Sequence, residues 1–180
     1  MKSNNSMKVV VVLPDIRSSY NVGSIFRTCD AVGVSEIVLA GYSPRPVDKF
    51  NRPQKEIAKT ALGAEKDVPW VYKDSSLKAL RDLKNEGFRI IAVEQTERSI
   101  DYKVFFKDLF KRNKNKKGKK TKSNNLMQEI KLAIVFGTEV TGIPKGLLKL
   151  CDDCIDIPMK GNKESLNVSV SAGIILYELI

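Results

Sequence analysis

Histidine is absent from this 180-residue chain, which removes the Ser–His and Cys–His catalytic pairs and most zinc sites in one step. Cysteine is scarce, with three residues in all. Cys151 and Cys154 have the Cys-x-x-Cys spacing, but Asp152 and Asp153 stand between them. Two carboxylates raise thiol pKa values and oppose a reactive thiolate, and no second pair exists to complete a zinc site. Ordinary reduced cysteines and no metal are expected. No apolar run approaches the roughly 20 residues that a membrane-spanning helix needs. The apolar residues 9–13 are too few for a secretory signal and read better as a strand. A cytoplasmic protein without a membrane partner is the expectation. The chain also lacks a Gly-x-Gly-x-x-Gly turn and a P-loop, so an ordinary dinucleotide or nucleoside-triphosphate site has no warrant.

What is present is positive charge, and it is concentrated. The formal net charge is +10, and residues 111–125 hold eight Lys or Arg with no acid, leaving about +2 for everything else. Such a block suits a phosphate backbone or another anionic surface; a solvated insertion that only aids solubility is the alternative. At this length one domain with a full hydrophobic core is expected, covering residues 1–180 with the Lys-rich insertion inside it.

The apolar pattern predicts a mainly parallel α/β sheet flanked by helices, because strands alternate with helices along the chain. Residues 8–13 form a continuous β-branched run of the kind found in a central strand covered on both faces. Further strands are predicted at 34–40, 68–72, 89–93, 132–136 and 154–157. Helices are predicted from about Asn21, at 54–62, at 75–86 with Ser75 as cap and Leu77, Leu80 and Leu83 as its stripe, at 145–150 and at 165–180. Residues 104–110 read as a strand or a short helix. The Pro-rich loop at 41–53 carries Arg45, Lys49 and Arg52.

Three segments concentrate the chemistry. In the first, Asn21 is a good N-cap, and Val22, Ile25, Phe26, Cys29 and Val32 fall on one helical stripe. Arg27 stands about 140° from Val22 at about 100° per residue, and Gly23, one turn earlier, is expected to leave space beside the guanidinium for a ligand. In the second, strand 132–136 runs into Gly137, Glu139 and Gly142, where glycine lets a ligand approach the backbone. Glu139 is placed to pair with Arg27 or to orient Asn21. In the third, Ile157-Pro158-Met159 closes a strand, Gly161 and Asn162 turn, and Ser165 or a neighbour caps a helix that is apolar around most of its circumference. Such a helix is buried by its own domain and by a partner subunit.

In this order the three segments resemble the signature motifs of the SpoU/TrmH branch of the SPOUT RNA methyltransferases. The resemblance runs from Val9 to Leu179. It implies a C-terminal trefoil knot and S-adenosylmethionine as cofactor. It also implies methylation of a ribose 2′-hydroxyl in structured RNA, tRNA or rRNA, by a homodimer formed through the last helix. A non-catalytic RNA-binding protein of the same fold and an RNA base methyltransferase are the alternatives. Carried onto this chain, the resemblance implies Arg27, Asn21, Glu139, Ser165 and Asn167 as catalytic residues. It implies a cofactor site at Thr96, Gly137, Ile157, Met159, Ser165 and Leu166. RNA contacts are expected from Arg27, Arg45, Lys49, Arg52, Lys114, Lys116, Lys117, Lys119 and Lys120. The family is described with the arginine as base; a guanidinium holds its proton well beyond neutral pH, so alkoxide stabilisation or a phosphate clamp suits it better. That role stays open at this point.

Overall fold

The computed structural model describes residues 7–117, 130–138 and 140–180, with the side chains of 113–117 left out of the description. Seven strands form one sheet: β1 (Met7–Pro14), β2 (Glu36–Ala40), β3 (Trp70–Lys73), β4 (Arg89–Val93), β5 (Ile100–Asp101), β6 (Ile130–Phe136) and β7 (Asp153–Asp156). The helices are α1 (Ser19–Val32), α2 (Lys55–Ala61), α3 (Ala64–Asp67), α4 (Ser76–Asn85), α5 (Tyr102–Lys117), α6 (Lys145–Leu148) and α7 (Val168–Tyr177). The strand order is β3-β2-β1-β6-β4-β7-β5, and every pairing is parallel. All carboxyl ends therefore lie along one edge, where open parallel sheets place their ligands.

The β-branched run of β1 is central because neither of its faces meets water. Val9, Val11 and Leu13 join the core under α1 and α7, while Val10 and Val12 join the core under α4 and α6. Each such side chain contributes roughly 1.5–3 kcal/mol on burial. The α1 stripe forms as expected, with Val22, Ile25, Phe26 and Cys29 buried and Val32 packed at its margin. Burial drives the Cys29 thiol far above its ordinary pKa and the Cys151 thiol up to about 12, desolvation being the largest cause in both. Cys154 and then Asp152, both close to Cys151, reinforce the effect of burial. All three cysteines are free thiols.

Several local expectations are corrected. Ser18, in extended conformation, caps α1 by accepting from the Asn21 N–H at 3.3 Å, so Asn21 lies inside the first turn. The space beside Gly23 is filled by protein: a Cβ there would stand 2.4 Å from the Ile57 carbonyl oxygen and 2.1 Å from Thr60 Oγ1. Gly23 thus serves the close crossing of α1 and α2. Ser75 caps α4 as expected, but Leu77 is exposed, and Ala79, Leu80 and Leu83 form the buried stripe.

Residues 104–110 belong to the long helix α5, which continues into the Lys-rich block because Lys and Arg are good helix formers. Phe105, Phe106 and Leu109 anchor it to the core. The two-residue strand β5 was hidden in a polar stretch. Asn167, and not Ser165, caps α7. Ile175 of α7 is fully buried within its own subunit, and α7 packs on α1. Among the described residues no helix is long and apolar enough to cross a membrane.

Candidate active site

The carboxyl ends of β4, β6 and β7 open into a cleft of about 320 Å³. Its walls are apolar where the strands end, at Val93, Phe136 and Ile157, and polar where the loops begin, at Glu94, Gln95 and Asp156. The second and third sequence motifs both reach it: Gly137, Ile157, Met159, Ser165 and Leu166 all line the cleft.

The second motif owes its shape to a tight loop. Thr138 and Gly142 exchange backbone hydrogen bonds at 3.0 and 3.1 Å, bringing Gly142 back against Gly137. A Cβ at Gly137 would stand 2.5 Å from the Gly142 carbonyl carbon and 2.7 Å from the Ile143 nitrogen. Glycine here makes room for the protein's own backbone, and Gly137 also lines the cleft. Gly142 has φ +65°, and a Cβ on it would meet Glu94 Oε2 at 2.1 Å. The Glu94 carboxylate also accepts from the Ile143 N–H at 2.6 Å and from the Gln95 N–H at 3.0 Å. Glu94 therefore braces the loop that forms one wall. Sequence reasoning missed it and Asp156; their only signal was a carboxylate at or just past a strand's carboxyl end.

The first and third motifs meet through their asparagines. Asn167 Oδ1 accepts from the Ser169 N–H at 2.8 Å and from its hydroxyl at 2.6 Å, closing the α7 cap. Asn167 Nδ2 then donates to Asn21 Oδ1 at 3.1 Å, joining α7 to α1 across 146 positions. Asn167 sits between two residues that line the cleft, Leu166 and Val168. Arg27 lies six residues beyond Asn21, about 9 Å further along α1 and about 120° around it. It is exposed and does not line the cleft. No hydrogen bond or ion pair engages it among the described residues. Glu139 falls outside the described residues, so its expected pairing with Arg27 or Asn21 is not part of this geometry.

Thr96 is not brought to the cleft. Its N–H donates to Ser99 Oγ at 2.8 Å and its hydroxyl is 3.0 Å from the same oxygen, so the residue closes its own exposed turn. Glu94 and Gln95 take the wall position expected of it.

The basic loop is ordered by its own contacts. The Arg45 guanidinium lies 4.5 Å from the Tyr72 ring centroid, and Lys49 and Arg52 each lie 5.0 Å from that of Phe50. Arg52 also pairs with Asp48 at 2.7 Å. Hydrogen bonds from the Arg52 backbone and then its side chain hold the Asp48 carboxyl below the usual range. In the Lys-rich block, Lys111 and Arg112 are exposed on α5. The side chains of Lys114, Lys116 and Lys117, and all of Lys119 and Lys120, lie outside the described residues.

Comparison with known proteins agrees with this arrangement. The chain is 29% identical over 178 residues to a Staphylococcus aureus (strain MSSA476) protein assigned to the TrmH family of tRNA/rRNA methyltransferases, covering 99% of this chain and 60% of that one. The chain thus spans three fifths of the length of the curated relatives it matches. The A. aeolicus TrmH/SpoU tRNA modifying enzyme superposes with a TM-score of 0.71 at 26% identity, over 97% of this chain and 74% of that one. An AdoMet-bound rRNA methyltransferase from Sinorhizobium meliloti shares the fold with a TM-score of 0.72 at 24% identity, over 95% of this chain and 55% of that one. Residues 8–177 match the SpoU rRNA Methylase family, and the chain belongs to that family.

Proposed function

We propose that this chain is an S-adenosylmethionine-dependent RNA methyltransferase that modifies a ribose 2′-hydroxyl of structured RNA, tRNA or rRNA. The observation that carries this reading is the 3.1 Å Asn167–Asn21 hydrogen bond beside a cleft walled by the second and third motifs. Three separated segments thereby contribute to one place, as a two-substrate site requires.

The cleft suits the cofactor on the chemistry of its lining. Apolar strand ends offer a surface to an adenine ring, and Asp156 offers negative charge near a cationic ligand. At about 320 Å³ its volume lies at the low end of the roughly 300–1,000 Å³ of small-ligand pockets. Gly137, Ile157, Met159, Ser165 and Leu166 would hold the cofactor, which supplies an activated methyl group on a sulfonium.

Arg27, standing free of described partners, supplies fixed positive charge for the developing alkoxide or the neighbouring phosphate. Asn21, Glu139, Ser165 and Asn167 orient the hydroxyl. Arg45, Lys49, Arg52 and the lysines at 114, 116, 117, 119 and 120 take phosphates. The trefoil knot implied by the resemblance belongs to this reading too, formed by the loops after β6 and β7 that wall the cleft.

The same reading includes a cytoplasmic homodimer joined through α7. Val170 and Tyr177 of α7 are 49% and 54% exposed, whereas Ile175 is committed to the subunit's own core. A charge at Ile175 would unfold the subunit and say nothing about assembly. Val170→Glu is the better probe: it is expected to keep the melting profile of the subunit and to sediment as a monomer. A Val170→Glu protein that remains a dimer removes α7 from the interface.

Labelled cofactor should be offered to unmodified total tRNA and to rRNA in parallel, followed by nucleoside mass spectrometry. A 2′-O-methylated nucleoside in one pool is the expected result. A methyl group on a base would replace the ribose reading. Cofactor binding without transfer to either pool would favour a non-catalytic RNA-binding role.

A further inference from the structure

The hairpin at residues 47–53 leaves an aromatic residue, Phe50, exposed to solvent on a hydrogen-bonded turn. Val47 and Pro53 form an antiparallel bridge, and the Asp48 N–H donates to the Arg52 carbonyl at 3.0 Å. The Asn51 N–H donates to the Asp48 carbonyl at 3.0 Å, with Asn51 at φ 60°. Inside the turn, Asp48 Oδ1 accepts from the Phe50 N–H at 2.8 Å and the Arg52 N–H at 3.0 Å. These bonds fix the tip of the turn, yet the Phe50 ring at that tip is 65% exposed. Packing does not explain it. Two cations, Lys49 and Arg52, lie 5.0 Å from its centroid. Arg52 is already paired with Asp48, whereas Lys49 makes no ion pair among the described residues.

An exposed ring with two cations lying over it fits a ligand that carries both a π-face and negative charge, which can share the ring with one cation and pair with the other. An unpaired nucleotide does so, since every base offers a stacking face and every linkage a phosphate. A base inside a duplex does not, because its faces are already covered. The hairpin leads directly into α2, whose Ile57 and Thr60 lie against Gly23 of α1, one turn before Arg27. The platform and Arg27 are therefore held by one packed helix pair.

We propose that Phe50 is a stacking platform for an unpaired base of the RNA substrate, with Lys49 taking an adjacent phosphate. The modified nucleotide then lies close to a single-stranded loop or bulge. This rests on the RNA reading above and narrows its substrate class.

The test measures binding of the full chain to a short oligoadenylate and to an RNA duplex of equal length, across a salt series. Phe50→Ala is expected to weaken oligoadenylate binding by about 5- to 150-fold with an unchanged salt slope, and to leave duplex binding nearly as it was. Phe50→Trp should restore it. Lys49→Ala should lower the salt slope by about one. Wild-type affinity in Phe50→Ala, equal losses on both RNAs, or no oligoadenylate binding by the wild type would each overturn the platform. A change of oligomeric mass in Phe50→Ala would overturn it as well, assigning the ring to a protein interface. The two readings fail separately. Methyl transfer by the wild type with a silent Phe50→Ala removes the platform alone. Phe50-dependent RNA binding without methyl transfer removes the enzymatic reading alone.

Discussion

Arg27→Ala is expected to lower methyl transfer by about 10²–10³-fold, the cost of removing a preorganised donor from developing negative charge. Its cofactor affinity should stay that of the wild type, because Arg27 does not line the cleft. The variant should also fold normally. Arg27 is exposed on a helix held by Val22, Ile25, Phe26 and Cys29 on the opposite side, and alanine is the best helix former. A drop in rate with unchanged cofactor titration and unchanged melting would therefore be chemical. Arg27→Lys separates two versions of the role. A point charge would recover much of the rate, whereas a bidentate phosphate clamp would not. Wild-type turnover in Arg27→Ala would remove the residue from the reaction.

Gly137→Ala is expected to damage the cofactor cleft and the fold together. The added Cβ meets the backbone of Gly142 and Ile143 at 2.5–2.7 Å, and that backbone cannot swing aside as a flexible side chain could. The loop it presses on is closed by the Thr138–Gly142 pair and braced by Glu94. Overpacking of this kind costs about 1–3 kcal/mol in stability. The displaced wall should weaken cofactor binding by at least about tenfold, a change of roughly 1.4 kcal/mol. Denaturant unfolding and titration calorimetry would measure the two effects. Gly161→Ala is the control, since nothing lies within 4 Å of a Cβ there. A Gly137→Ala protein with wild-type unfolding and affinity would mean that the loop yields freely.

Periodicity alone made the framework legible. The β-branched runs of β1 and β6 announced central strands because only two-sided burial tolerates them, and the α1 stripe followed from the 3.6-residue repeat. Five expected cofactor positions line the cleft because they belong to the short motifs that follow β6 and β7. Thr96 does not, because a neighbouring serine satisfies its polar groups within a turn. Ser18 and Asn21 are both good caps by residue type. The choice between them depended on where the chain leaves its extended path, which side-chain type does not encode.

By itself the sequence determined the α/β class, the buried strands, the placement of basic charge and the short segments that carry the motifs, since all of these rest on neighbours within one or two turns. Only the tertiary structure decided what fills the space at Gly23, what Glu94 holds, and that Asn21 and Asn167 meet. It likewise decided that Arg27 stands apart from the cleft and that Phe50 is held outward. The physical reason is common to all five. Each depends on residues distant in the chain or on the direction of a side chain, and both appear only once packing has set the elements against one another.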